Sequence, residues 1–213
     1  GARIHSDSWG TTASNYDATA MDMDEFTYRY EDFLFVVAMG NSGTAPGDGS
    51  IGAPATAKDI VSVMATTNGS SGNANTLSTY SRGPVDDGRR KPDVCTPGMN
   101  ITSANGGAAC GTQPMSGTSM ATPTTSGSLV LLRQYFTDGW YPSGAKTAAD
   151  ARNPSAALMK ACLVNGAMPV TGTDPLGTLT TIPSMDQGWG RTHLENALYF
   201  TGDARRTRVW DIR

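Results

Sequence analysis

The chain of 213 residues is poor in the side chains on which metal sites, disulfide scaffolds and polyanion-binding surfaces depend. It has two histidines, His5 and His193, and three cysteines, Cys95, Cys110 and Cys162, and no pair of them stands in metal-ligand spacing. Three cysteines cannot all pair within one chain, so a disulfide framework is excluded. A single Cys95–Cys110 bridge stays open, and separate buried thiols are the favoured expectation because free cysteine packs as a small hydrophobe. Basic charge is not in surplus: 16 Lys and Arg stand against 19 Asp and Glu, a net charge of -3. With no basic patch or long charge run, nucleic acid and anionic membrane surfaces are excluded as expected partners. No apolar stretch approaches the ~20 residues that span a bilayer, so no membrane span is expected. The opening GARIHSDSWG has neither a charged n-region nor an apolar h-region and reads as mid-protein sequence.

What is present suits a folded enzyme. A hydrophobic content of 38% with 25 glycines fits one large domain whose core is crossed by tight turns. The first ten residues read as a short strand around Ile4 that runs into the turn Ser8, Trp9, Gly10. Residues 17–32 space Met23, Phe26 and Tyr30 along an amphipathic helix with Asp17 near its cap. The apolar run FLFVVAM at 33–39 is a strand of the kind buried on both faces of a parallel sheet. IVSVMAT at 60–66 and the segment from Pro92 to Thr96 supply further strands, separated by a polar loop from Asn68 to Asn75 and a charged turn, DDGRRK. Residues 119–136 turn helical, with Pro123 tolerated near the first turn, and residues 154–167 form a second helix. The expected inner stripe of that second helix is Ala157, Leu158, Ala161 and Cys162. Alternating strands and helices predict a three-layer α/β fold with a mostly parallel sheet flanked by helices.

Two short motifs carry chemistry. In GTSMATP, at 117–123, a serine flanked by small residues stands where a loop becomes a helix. There its own N–H is unpaired, so the hydroxyl can attack a carbonyl while the N–H binds the resulting oxyanion; the same spacing also suits an ordinary serine cap. In GNSG, at 40–43, Asn41 follows the buried strand directly, where loops at the carboxyl ends of parallel strands line ligand crevices. Its NH₂ would be a second oxyanion donor, and Asn-Ser-Gly is equally common turn chemistry. Finding both in this order favours the site.

GTSMATP, AMGNSG, SDSWG and SRGP…KPDVCTPG together resemble the subtilisin-like proteases. ARIHSDSWG, IGAPATAKDI and DQGWGRTHL are most similar to alkaline subtilases with an extra β-rich domain after the catalytic one. The resemblance assigns 1–200 to the later part of a catalytic domain, incomplete on its N-terminal side. It leaves 201–213 as a tail that would begin a following domain. It implies a serine endopeptidase acting through an acyl-enzyme, with Ser119 as nucleophile, Asn41 as oxyanion donor and Thr118 supporting the hole. Ser8, Trp9 and Gly10 would pair with the substrate backbone, Ala38, Met39 and Gly40 would wall a side-chain pocket, and Gly52 and Ala53 would form its base. The small residues there imply a roomy apolar pocket. Pro54 matches a cis proline, and the carbonyls of Ala55, Ala57 and Ile60 match a weak site for structural calcium or a monovalent cation; the chemistry itself requires no cofactor. The family is generally secreted or otherwise extracytoplasmic.

The family draws its catalytic Asp and His from motifs ahead of residue 2, so an upstream segment or a second chain is the expected partner beside polypeptide substrates. His5 and Asp7 lie on one face of a strand but not in a line ending at Ser119. His193 is expected to pack against or cap the late helix, and Asp93 and Asp186 to accept turn N–H bonds rather than act in catalysis. The alternative function is an inactive module that binds extended peptides.

Overall fold

Consecutive apolar residues in a strand face opposite sides of its sheet, so a run such as FLFVVAM demands a covering layer on each face. In the computed structural model, which describes residues 1–69, 74–107 and 109–211, both layers are present. Strands β1 (Ile4–Asp7), β2 (Leu34–Ala38), β3 (Val61–Thr66) and β4 (Val94–Pro97) form a parallel sheet in sequence order. Val36, Val61, Val63 and Val94 point into one core, packed by helices α2 (Thr118–Thr137) and α3 (Ala156–Gly166). Their neighbours Val37, Met64 and Cys95 point into the other, which contains Ala20 and Met23 of α1 (Ala18–Arg29). The fold is therefore the expected three-layer α/β arrangement.

Several details differ from the periodicity. Asp17 caps α1, accepting from Ala20 N–H at 2.9 Å, but the inward residues are Ala20, Met23, Asp24 and Thr27. Phe26 and Tyr30 are exposed and join Phe33 and Phe35 in a surface aromatic cluster. Asp24 replaces them inside because its carboxylate accepts the N–H groups of Lys58 and Asp59 and the Tyr16 hydroxyl. In α3 the cap is Ser155, and the buried stripe is Ala156, Leu158, Met159, Cys162, Leu163 and Gly166. Ala157 and Ala161 face outward, contrary to expectation, because the larger Met159 and Leu163 fill the space toward the core.

An exposed antiparallel hairpin, β5 (Ile101–Ala104) with β6 (Thr112–Met115), leads into α2 and was not legible in the sequence. A last short helix, α4 (Leu194–Ala197), has His193 at its N-cap position, yet the imidazole makes no cap hydrogen bond. The described part of the tail contains no strand; Thr207 donates to Ala197 O, Val209 N–H to the Tyr141 hydroxyl, and Asp211 accepts from Ser155. Residues 212 and 213 of the tail, and 70–73 of the polar loop, lie outside the described residues. The cysteines are free thiols: Cys95 and Cys162 are buried as expected, whereas Cys110 is exposed at the hairpin.

The largest fully buried side chain is the charged Arg82. Its guanidinium donates to Asp174 Oδ1 and Ser78 O, each at 2.8 Å, with Asp186 Oδ1 3.5 Å from Nε. A charge so placed persists only when paired. Here the pairing ties the 78–82 segment to the loop that holds Asp174 and Asp186.

Candidate active site

β1 and β2 run parallel and in register, with Asp7 beside Val37, so the segments after both strands emerge at the same edge of the sheet. Helix α2 starts at that edge and places half-buried Ser119 in its first turn. Pro123 has no N–H and cannot close an intrahelical bond to the Ser119 carbonyl. That carbonyl instead accepts from Ser8 Oγ at 2.9 Å, while Ser119 Oγ contacts Ser8 O at 3.4 Å. The proline thus frees the group that stitches the end of β1 to the serine.

Asn41 comes to Ser119 through Thr118. Its Oδ1 accepts the Thr118 N–H at 2.9 Å and the Thr118 hydroxyl at 3.0 Å, which fixes the amide orientation and turns its NH₂ the other way. A Cβ built on Gly117 would lie 3.6 Å from Asn41 Nδ2, from Asn41 Oδ1 and from the Ser119 backbone N. The Asn41 amide and the Ser119 N–H therefore flank the same glycine, which has no side chain to part them. Neither donor has a hydrogen-bond acceptor among the described residues.

Asn41, Thr118 and Ser119 line a cleft of about 240 Å³ together with Ser8, Trp9, Gly10, Ala38, Met39, Gly40 and Gly52. Ala53 does not reach it: the residue is fully buried, with its carbonyl accepting from Thr11 N–H at 2.7 Å. The peptide bond between Ala53 and Pro54 is cis. Sequence reasoning missed Thr11, Thr12, Ser42, Ser50 and Ser81, which also line the cleft; SRGP, with its serine after Tyr80, was the one available pointer. Trp9 is 52% exposed at the mouth, with its indole N–H donating to Asp7 Oδ1 at 3.2 Å.

No base is brought to Ser119 from the described residues. His5 Nε2 lies 2.9 Å from Asp7 Oδ1, and its ring packs on Phe35, its register partner on β2. His193 is at the start of α4, its Nδ1 buried without a partner among the described residues. Asp93 is structural: it accepts from Ser62 N–H and from Lys91 and Lys160. These two ammonium groups and the Ser62 N–H outweigh the burial that would raise its pKa, and hold its carboxyl far below the usual range. Asp186 accepts the Gly47 N–H at 2.8 Å.

Of the three carbonyls expected to bind a cation, that of Ile60 meets an ammonium of the chain itself. Lys160 Nζ lies 2.6 Å from Ile60 O and 3.1 Å from Lys58 O, a charge that would repel a cation at Ile60 O. Ala55 and Ala57 are buried in the adjoining turn.

Comparison with known proteins gives the family and the fold. The model described as "Subtilase family" matches residues 1–190. Pyrolysin of Pyrococcus furiosus is 33% identical over the whole of this chain and 15% of its own length. The "Serine protease/ABC transporter B family protein tagD" of Dictyostelium discoideum is 28% identical over 93% of the chain and 16% of its own length. The chain thus spans about a sixth of these relatives. The solved structure of the prenylagaramide maturation protease PagA superposes with a TM-score of 0.68, covering 92% of this chain and 61% of its own at 23% identity, a likeness of fold.

Proposed function

The chain belongs to the subtilase family, and from that premise we propose that it is the later part of a serine endopeptidase domain in which Ser119 is the nucleophile. Ser119 Oγ attacks the carbonyl carbon of an extended polypeptide lying along Ser8, Trp9 and Gly10. The carbonyl oxygen, now negative, moves into the volume between Asn41 Nδ2 and Ser119 N–H, where preorganised donors stabilise it without further reorganisation. Loss of the amine leaves an ester on Ser119, and water completes the hydrolysis. A serine hydroxyl needs a base to accept its proton. His5 is paired with Asp7, His193 stands at the start of α4, and neither lines the cleft, so the imidazole and its orienting carboxylate come from outside these residues, in an upstream segment or a second chain.

The observation that supports this reading is that Asn41 Nδ2 and the Ser119 N–H, neither of which has an acceptor among the described residues, stand beside the same glycine next to Ser119. A module that only held peptides would gain nothing from that pair. The test is labelling of Ser119 by a fluorophosphonate, in residues 1–213 alone and joined to a segment that supplies acid and histidine. Labelling in the joined sample alone supports the proposal. The part alone should stay unlabelled because removing a triad member leaves only ~10³–10⁴-fold acceleration over water, and absence of labelling in both overturns the proposal in favour of a peptide-binding module.

A further inference from the structure

We propose that Ser81 is the positioning residue for the Asn41 amide, an inference that rests on the reading of Asn41 as an oxyanion donor. Ser81 is 1% exposed and lies on a segment remote in sequence from the Asn41 turn. Its backbone N–H donates to Gly40 O at 3.3 Å, and its hydroxyl accepts from Ser42 N–H at 3.0 Å. One residue therefore holds the peptide on both sides of Asn41 and leaves the Asn41 side chain untouched.

Two anchors share the work. Thr118 holds the carbonyl end of the amide, and its hydroxyl also meets the Gly40 peptide, whereas Ser81 holds the backbone on both sides of Asn41. There is no slack in the contact: a Cβ on Gly40 would stand 2.7 Å from Ser81 Oγ, and Gly40 itself adopts φ +110°, a conformation that glycine reaches at least expense. Gly43, on the far side of the turn, passes so close to the residue before Ser81 that a Cβ there would collide with Tyr80 O.

Ser81 is in turn immobilised by its neighbour. Arg82 N–H donates to Ser50 Oγ at 3.0 Å, Arg82 O accepts from Ile51 N–H at 2.9 Å, and the buried guanidinium is held by Asp174 and Ser78. The chain of contacts runs from a buried ion pair through one serine to the turn that presents Asn41. A donor that stabilises developing charge works only when it is set in advance, and displacement by about 1 Å at a supporting residue can cost up to about 10²-fold in rate. Without the Ser81 hydroxyl, Ser42 N–H loses its acceptor and the turn is free to relax.

The experiment is a double-mutant cycle in the catalytically complete protein, with kcat and KM measured on a peptide substrate for Ser81→Ala, Asn41→Ala and the double variant. Ser81→Ala should lower kcat about tenfold with KM within about twofold, because the loss falls on the transition state. In the Asn41→Ala background the same substitution should change nothing further, because the amide it positions is gone. Ser81→Cys, which keeps the volume but offers a weak acceptor, should behave as Ser81→Ala and guards against misfolding of the smaller variant. An equal loss of kcat in both backgrounds, or a change confined to KM, overturns the positioning role while leaving Asn41 in place. An unchanged kcat in Asn41→Ala alone instead removes the oxyanion-donor premise, and the proposal with it.

Discussion

Asn41 Oδ1 is 2.9 Å from the backbone N of Thr118, a residue 77 positions later, and this one contact divides the amide into an anchored acceptor and a presented donor. The donor half can be removed without disturbing the anchor. Asn41→Asp keeps an oxygen for Thr118 and puts a second oxygen where the NH₂ stood. Steady-state kinetics on the catalytically complete protein should show kcat reduced about 10²–10³-fold with an unchanged thermal midpoint. Full activity in this variant would remove Asn41 from the mechanism.

The buried Arg82–Asp174 pair should dominate the stability of the loops behind the cleft. Both side chains have 0% exposure, so Arg82→Met leaves a carboxylate without its main partner in a dry interior. Urea denaturation should report a loss of about 3–5 kcal/mol, and a loss below about 1 kcal/mol would mean that water reaches Asp174.

Asp48 supplies a pH test. Burial pushes its carboxyl up, but the Ser50 hydroxyl and the Thr44 and Ala45 N–H groups outweigh that and hold it down at about 2, against an ordinary 3.8. A depressed carboxyl contributes stability above its unfolded pKa and loses it as pH falls toward the folded one. Protection of the amides in residues 44–50, the exchange rate relative to the intrinsic rate at the same pH, should therefore fall between about pH 4 and pH 2. In Asp48→Asn that window should be absent, and its persistence would point to another group.

The thiols should separate cleanly. Burial pushes Cys95 up to about 12 and Cys162 to about 11, whereas Cys110 is exposed. Iodoacetamide should alkylate Cys110 alone in the native protein and all three thiols in guanidinium, as read by mass spectrometry. Native labelling at Cys95 would contradict the packing of β4.

Much of the layer order was legible because it rests on short-range pattern. FLFVVAM can be satisfied only between two layers, and its flanks gave β2 to within a residue at either end. GTSMATP likewise announced a helix start, and α2 does begin at Thr118. Side-chain direction on a helix was less legible. Phe26 looked inward by period, but buried acceptors are set by which N–H groups lie opposite, and those of Lys58 and Asp59 drew Asp24 inside instead. Lys160 was invisible for the same reason, since its oxygen partners Lys58, Ile60 and Asp93 are brought to it only by the packing of α3 against the sheet edge.

The amino-acid order by itself determined that a small-residue serine motif opens a helix and that an Asn-Ser-Gly turn closes a buried strand, because both are decided by neighbours within a few residues. Only the tertiary structure decided that these two meet, that Ser81 grips the turn between them, and that neither histidine attends. Those outcomes depend on parallel strands delivering separate segments to one sheet edge, which no local pattern encodes.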